Sequence, residues 1–295
     1  MHPIIRWGLD FIAAVQRMGS PAMDAFFRCI TLLGDELFFL LLLPFFLWCV
    51  DFAMGIRLGC YVLLSQYVNI VAKDLFRLPR PAYYRPELAR VEQGGYGLPS
   101  GHSQTTMTFW GAVAVWAGKT WVRVAAAVLI LMVGFSRIYL GVHFPTDVLA
   151  GWGIGAVLLA LFFAVTPAVE KRLARMGLIP RIVLALALPI LLALIHPAKD
   201  VVGGLAAMAS LCLGAALFTH RRSFCAKGPW SQRIVRYLAG ISVLAGLYFG
   251  LSAVFPRAGS ALYLPFRFLR YGLLGLWAGL GAPWVFLRLR LAEKA

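Results

Sequence analysis

Two histidines, one aspartate and several cations recur in this sequence at spacings suited to handling a phosphate. Lys73 and Arg80 precede Pro81, Pro99-Ser100-Gly101-His102 opens an apolar run, and Ser136-Arg137 is followed by His143 and Asp147. Arginine presents a planar fork that matches phosphate oxygens and lysine adds a point charge, so Lys73, Arg80 and Arg137 form a candidate anion cradle. Ser100 adds a hydroxyl. The backbone amides of Gly101 and His102 sit at a predicted helix N-terminus, where unpaired N–H groups and the helix dipole favour negative charge. Gly101 lets the backbone approach an anion closely.

The other side chains could make and break bonds. His143 and Asp147 are four residues apart. If a helix starts near Phe144, with Pro145 tolerated in its first turn, Asp147 turns back to His143. A carboxylate on one ring nitrogen fixes the tautomer and leaves the other free to attack phosphorus. His102 is then the candidate acid for the leaving oxygen, and water would hydrolyse the resulting phosphohistidine. Taken singly, each residue has a plainer reading. Asp147 can cap a helix, a basic residue can anchor at the membrane surface, and an interfacial histidine can be structural or solvated. His2, His196 and His220 take that last reading.

The elements that must position these residues are apolar. The 295-residue chain is 61% hydrophobic and 14% charged, with mean hydropathy +0.80. Soluble domains are about a quarter charged, so the composition predicts an integral membrane protein. The net charge of +16 is dispersed between apolar runs. It reads as topology signal and headgroup contact, not as a nucleic-acid surface. Apolar runs fall at 30–50, 54–72, 102–118, 121–141, 146–166, 181–196, 201–218, 236–255 and 265–287. Each needs ~20 residues to span a bilayer. The first run contains Asp35, Glu36 and Pro44. Residues 1–29 read as an amphipathic segment lying in the interface. They are broken by Asp10 and Arg17 and predict no cleaved signal peptide. Cys29, Cys49, Cys60, Cys212 and Cys225 form no CxxC pair and read as packing residues, with no metal or disulfide framework implied.

Arg57, then Lys119 and Arg123, then Lys171, Arg172, Arg175 and Arg181 occupy connections on one side of this nine-run topology. Arg221, Arg222, Lys227, Arg233 and Arg236, and Arg288, Arg290 and Lys294, fall on the same side. The positive-inside tendency makes that side cytoplasmic. Residues 73–101 lie on the outer side yet carry Lys73, Arg77, Arg80, Arg85 and Arg90. An anionic ligand would explain cations held against the trend, as would headgroup contact. All three chemical segments fall on that outer face.

At these positions the sequence resembles the phosphatidic acid phosphatase type 2 and vanadium haloperoxidase superfamily, in its membrane lipid phosphatase branch. The superfamily pattern KxxxxxxRP, PSGH, SRxxxxxHxxxD is matched in full by Lys73 to Pro81, Pro99 to His102 and Ser136 to Asp147. The resemblance implies an all-α polytopic transmembrane bundle and metal-independent phosphoester hydrolysis without a cofactor. It implies His143 as nucleophile, Asp147 as its partner and His102 as general acid. Lys73, Arg80, Ser100, Gly101 and Arg137 become phosphate ligands. Residues 30–196 would be a six-span phosphatase core, and 197–295 about three additional spans. The expected substrate is a lipid phosphate or polyprenyl diphosphate, with undecaprenyl diphosphate, phosphatidate and phosphatidylglycerol phosphate as candidates. The expected location is a bacterial plasma membrane, with the site facing the periplasm or exterior. Competing readings are a lipid phosphotransferase, a sugar phosphatase like the glucose-6-phosphatase branch, and a non-catalytic lipid transporter or scaffold. A vanadate-dependent haloperoxidase would need no bilayer.

Overall fold

The computed structural model describes residues 2–293. Lys294, one of the basic residues used above for orientation, lies outside them. The described residues form helices and connections, with one isolated β-bridge between Cys225 and Glu293. In chain order the helices are α1 (Pro3–Arg17), α2 (Pro21–Leu32), α3 (Glu36–Phe45), α4 (Phe52–Phe76), α5 (Pro81–Tyr84) and α6 (Gly101–Ala117). They continue as α7 (Thr120–Tyr139), α8 (Pro145–Ala174), α9 (Leu178–Ile195), α10 (Lys199–Arg221), α11 (Trp230–Val254), α12 (Tyr263–Leu276) and α13 (Ala282–Arg288). A π turn, Phe46–Val50, extends α3, and a second, Trp277–Gly281, joins α12 to α13.

Every apolar run of the sequence falls on a helix or a helix pair. Among the described residues six helical stretches are long and apolar enough to cross a membrane, or seven if α2 and the extended α3, bent by 52°, count as one span. The other two runs differ for local reasons. Helix α6 is 17 residues long and opens on polar GHSQTTMT. The last run is broken by the π turn into two shorter helices.

The chain forms two compact units, 1–39 with 68–165 and 40–67 with 166–295. In the first, α1 is two-faced. Leu9 and Ile12 are buried against Ile138, Phe144 and Val148, while Ile4, Trp7 and Phe11 are exposed. Lipid is as apolar as leucine, so helices in a bilayer gain by close approach of small residues. Gly151 and Gly155 of α8 supply that approach. A Cβ on Gly151 would lie 2.6 Å from the Ser100 carbonyl oxygen, and one on Gly155 would lie 2.9 Å from that of Gln104. This contact seats the first turns of α6 and α8 side by side, and Ser100 N donates to Asp147 O at 2.9 Å. Between α7 and α8 the chain turns at Gly141, whose φ is +69°. A Cβ there would meet the Leu88 carbonyl oxygen at 1.9 Å, so only glycine fits.

In the second unit the two π turns meet. Trp48 Nε1 donates to Ala278 O and Trp277 Nε1 to Gly240 O, each at 3.0 Å. Gly275 and Gly279 bring the α12 region against α10, where added Cβ atoms would lie 2.3 Å and 2.6 Å from the Ala207 and Leu211 carbonyl oxygens. Arg57 pairs with Glu170 through two bonds, at 2.6 and 2.8 Å.

Candidate active site

The eight residues singled out from sequence all lie in the first unit. His143 stands in the turn between α7 and α8, and Asp147 in the first turn of α8, which starts at Pro145. Asp147 Oδ2 lies 3.2 Å from His143 Nδ1 and accepts from Phe144 N at 3.0 Å. The other ring nitrogen, Nε2, is 3.0 Å from Arg80 Nη1. A guanidinium can only donate, so Nε2 presents its lone pair and the single ring proton sits on Nδ1, facing the carboxylate. His143 is 1% exposed. Burial, followed by the charges of Arg80, Arg137, Lys73 and His102, holds its imidazole well below the ordinary value of 6.5. The imidazole is therefore neutral, in one tautomer, with an unprotonated Nε2.

The cations converge on the same ring. Besides His143, Arg80 Nη1 donates to Val142 O at 2.9 Å, and Arg80 Nε to the Gly94 and Gly95 carbonyls at 3.1 and 3.0 Å. Lys73 Nζ donates to Tyr96 O at 2.8 Å and Gly97 O at 3.3 Å. These two side chains thus gather the 94–97 loop. A Cβ on Gly97 would lie 3.0 Å from Asp147 Oδ2, so the loop passes directly over the carboxylate. Arg137 donates from Nη1 to Thr31 and from Nη2 to Gln93, which fixes the plane of its guanidinium. Its Nε is buried with no hydrogen-bond partner among the described residues. A buried donor in that state costs about 1–3 kcal/mol and marks a place for an acceptor.

Helix α6 begins where the sequence predicts. Ser100 is its N-cap, accepting from Ser103 N at 3.4 Å and Ser103 Oγ at 2.9 Å, which leaves its own hydroxyl proton to donate. The first-turn amides of Gly101 and His102 donate to no partner among the described residues. Behind them, Asn69 Nδ2 donates to Gln104 Oε1 at 2.8 Å and Pro99 O at 3.4 Å, locking α4 to the PSGH turn. His102 Nε2 lies 2.8 Å from Asp35 Oδ1. Asp35, Thr31, Gln93 and Asn69 are absent from the sequence-derived site. For Asp35 a signal existed, since an acidic residue inside an apolar run is costly and marks function. Thr31, Gln93 and Asn69 carry no such mark. Among the described residues no three His, Cys, Asp or Glu side chains cluster as metal ligands.

Comparison with known proteins finds matches over two parts of the chain. A model described as the PAP2 superfamily matches residues 54–171, which hold all three motifs, and one described as the PAP2 superfamily phosphatase transmembrane extension matches residues 202–294. The chain belongs to the PAP2 superfamily. Among its relatives, mouse sphingosine-1-phosphate phosphatase 2 is 31% identical over 183 residues, which is 59% of this chain and 51% of the relative. Phosphatidylglycerophosphatase B of Bacillus subtilis is 34% identical over 116 residues, 36% of this chain and 54% of the relative. The PAP2 chain thus spans about half the length of these curated relatives. The crystal structure of a transmembrane PAP2-type phosphatidylglycerolphosphate phosphatase from Bacillus subtilis superposes with a TM-score of 0.50 at 24% identity, covering 60% of this chain and 90% of that one. That likeness shows the shared fold.

Proposed function

We propose that this PAP2 chain is an integral membrane phosphatase that hydrolyses a lipid phosphate through a phosphohistidine at His143. The observation that carries the reading is the line Asp147–His143–Arg80, which holds an unprotonated Nε2 among cations. A mere anion binder needs no such nitrogen. An arriving phosphate offers Arg80 Nη1 a stronger, charged acceptor than the ring. The arginine then leaves Nε2, which attacks phosphorus. Asp147 keeps the Nδ1 proton in place as the ring becomes positive. Arg80, Lys73 and the unpartnered Nε of Arg137 take the equatorial oxygens, with the Gly101 and His102 amides and Ser100 as further donors. His102 protonates the departing alkoxide. As a base it then takes a proton from water, whose oxygen attacks the phosphohistidine and frees inorganic phosphate. No step in this reading uses a metal or cofactor.

A lipid monophosphate is the favoured substrate. The relatives above are named for sphingosine 1-phosphate and phosphatidylglycerophosphate, and the helices keep an acyl or prenyl chain in the bilayer. Undecaprenyl diphosphate remains the diphosphate candidate. The outward placement of the 73–101 segment follows from the basic connections on the opposite side. Residues 30–196 form the catalytic core in this reading and 197–295 add helices to it. The test is phosphate release by purified protein from lipid monophosphates, lipid diphosphates and glucose 6-phosphate, beside His143→Ala. The expected result is release from lipid substrates in wild type alone. Equal release by both proteins would end the enzyme reading. Preference for the sugar phosphate would move the substrate class.

A further inference from the structure

The turn between α2 and α3 lies outside the residues matched by the family model, yet it touches two members of the site. Thr31 accepts from Arg137 Nη1, and Asp35 Oδ1 lies 2.8 Å from His102 Nε2. Gly34 packs against the imidazole, where a Cβ would be 2.6 Å from His102 Cδ2. The turn is held by Gly34 N to Thr31 O at 2.9 Å and Asp35 N to Leu32 O at 3.1 Å, and Asp35 O starts α3 by accepting from Phe39 N at 3.3 Å.

We infer that Asp35 is the positioning residue of the general acid, holding His102 in orientation and stabilising its imidazolium. The inference rests on the acid role proposed for His102. Arg80 and Arg137 surround that ring electrostatically, and cations disfavour a protonated imidazole. A carboxylate on Nε2 opposes them and lets His102 hold the proton it must deliver. The Asp35 side chain is 40% exposed, so the water that returns a proton to His102 as it attacks can arrive from solvent.

The experiment compares kcat/KM for a long-chain alkyl phosphate, whose leaving oxygen needs a proton, with that for p-nitrophenyl phosphate, whose leaving group does not. Asp35→Asn should lose ~10- to 100-fold on the alkyl ester, part of the 10²–10⁴ that a general acid supplies. Its loss on the aryl ester should be under about threefold, which also shows that the variant is folded. Asp35→Glu should recover part of the alkyl activity. If His102→Ala is selective against the alkyl ester and Asp35→Asn slows both esters equally, or neither, the inference is overturned. If His102→Ala itself shows no selectivity, the acid assignment is what fails.

A separate observation lies in the second unit. The connection from α11 to α12 lines a cavity of about 220 Å³ with Arg257, Arg267, Arg270, Tyr263, Phe255 and Phe266. Interface anchoring, the plain role of a basic residue near a helix end, would send the Arg267 and Arg270 guanidinia outward. Instead Arg267 folds back, donating to Lys199 O at 2.7 Å, Asp200 Oδ1 at 2.9 Å and Tyr263 OH at 3.1 Å. Arg270 stacks over Tyr248 and Tyr271, at 5.5 and 5.0 Å from their ring centres, and its Nε is buried with no hydrogen-bond partner among the described residues. The exposed Arg257 has no ion-pair partner among them. The geometry points to a second anion site, built for a phosphate group beside an apolar wall.

Two sources share that chemistry, a lipid headgroup and free phosphate. Native mass spectrometry of the full chain, with a non-hydrolysable lipid phosphonate as probe, tests the site. The adduct should persist in Arg80→Gln and fall at least about tenfold when Arg257→Gln and Arg270→Gln are added to that variant, while Arg257→Gln/Arg270→Gln alone still cleaves p-nitrophenyl phosphate. Arg257→Gln alone, at an exposed position, gives a partial loss without risk to the fold. Displacement by inorganic phosphate names free phosphate as the ligand, and resistance names the lipid. An adduct unchanged when both substitutions are added to Arg80→Gln overturns the site.

Discussion

Asp147 holds His143 inside the protein, whereas Asp35 holds His102 at its edge. The first pair is sealed, with side chains 1% and 4% exposed, and the second is open, at 15% and 40%. The first is local, four residues apart across the start of one helix. The second joins residues 67 apart. The contrast matches the two tasks proposed above. A nucleophile needs a fixed tautomer and no competing water, which a closed loop-and-helix turn provides. A group that gives up its proton and takes one back from the attacking water must stand where water can reach it.

Substitutions can break that contrast in order of size. His143→Ala should lower turnover of a lipid monophosphate by ~10⁴-fold or more, as removal of a nucleophile does elsewhere. A residual rate within tenfold of wild type, measured as inorganic phosphate released, would mean that water attacks directly and the sealed pair is not the reacting one. Asp147→Asn should cost about 10²–10³-fold, short of the ~10⁴ seen when an amide imposes the wrong tautomer. The reason is Phe144 N, which donates to the same oxygen and would keep the amide oxygen turned toward the ring. If Asp35→Asn costs more on the alkyl ester than Asp147→Asn does, the ranking of the two poles is reversed.

The smallest effect is a displacement in pH. Arg80, Arg137, Lys73 and His102 face His143 with positive charge and Asp147 faces it with negative. The folded value of His143 lies below its ordinary 6.5. The neutral ring is thus favoured by folding, and its contribution to stability is intact above pH ~6.5 and lost as pH falls toward the folded value. The acid limb of kcat/KM for p-nitrophenyl phosphate should therefore lie below pH 6.5. A limb above that value would mean that a group other than His143 must lose its proton first.

How much of this was readable from sequence follows the same division. The His143–Asp147 pair obeys helical spacing, and Pro145 marks the helix start, so local geometry alone brings the two together. The PSGH turn is readable for the same reason. Apolar runs located the helices, because backbone polar groups in a bilayer must bond within their own segment. Asp35, Thr31 and Gln93 reach the site through tertiary packing, which no spacing encodes. Nor does hydropathy show where a helix widens. The π turns at Phe46–Val50 and Trp277–Gly281 sit inside runs that read as continuous.

Under the proposed mechanism, the contact between Arg80 and His143 has a consequence for reactivity. The lone pair assigned to attack phosphorus is shielded at rest by a cation that an anionic substrate would draw aside. Neutral alkylating reagents, which could otherwise consume so nucleophilic a nitrogen, bring nothing to draw the arginine aside. Selectivity against them is thereby written into the resting state, before any lipid tail is recognised.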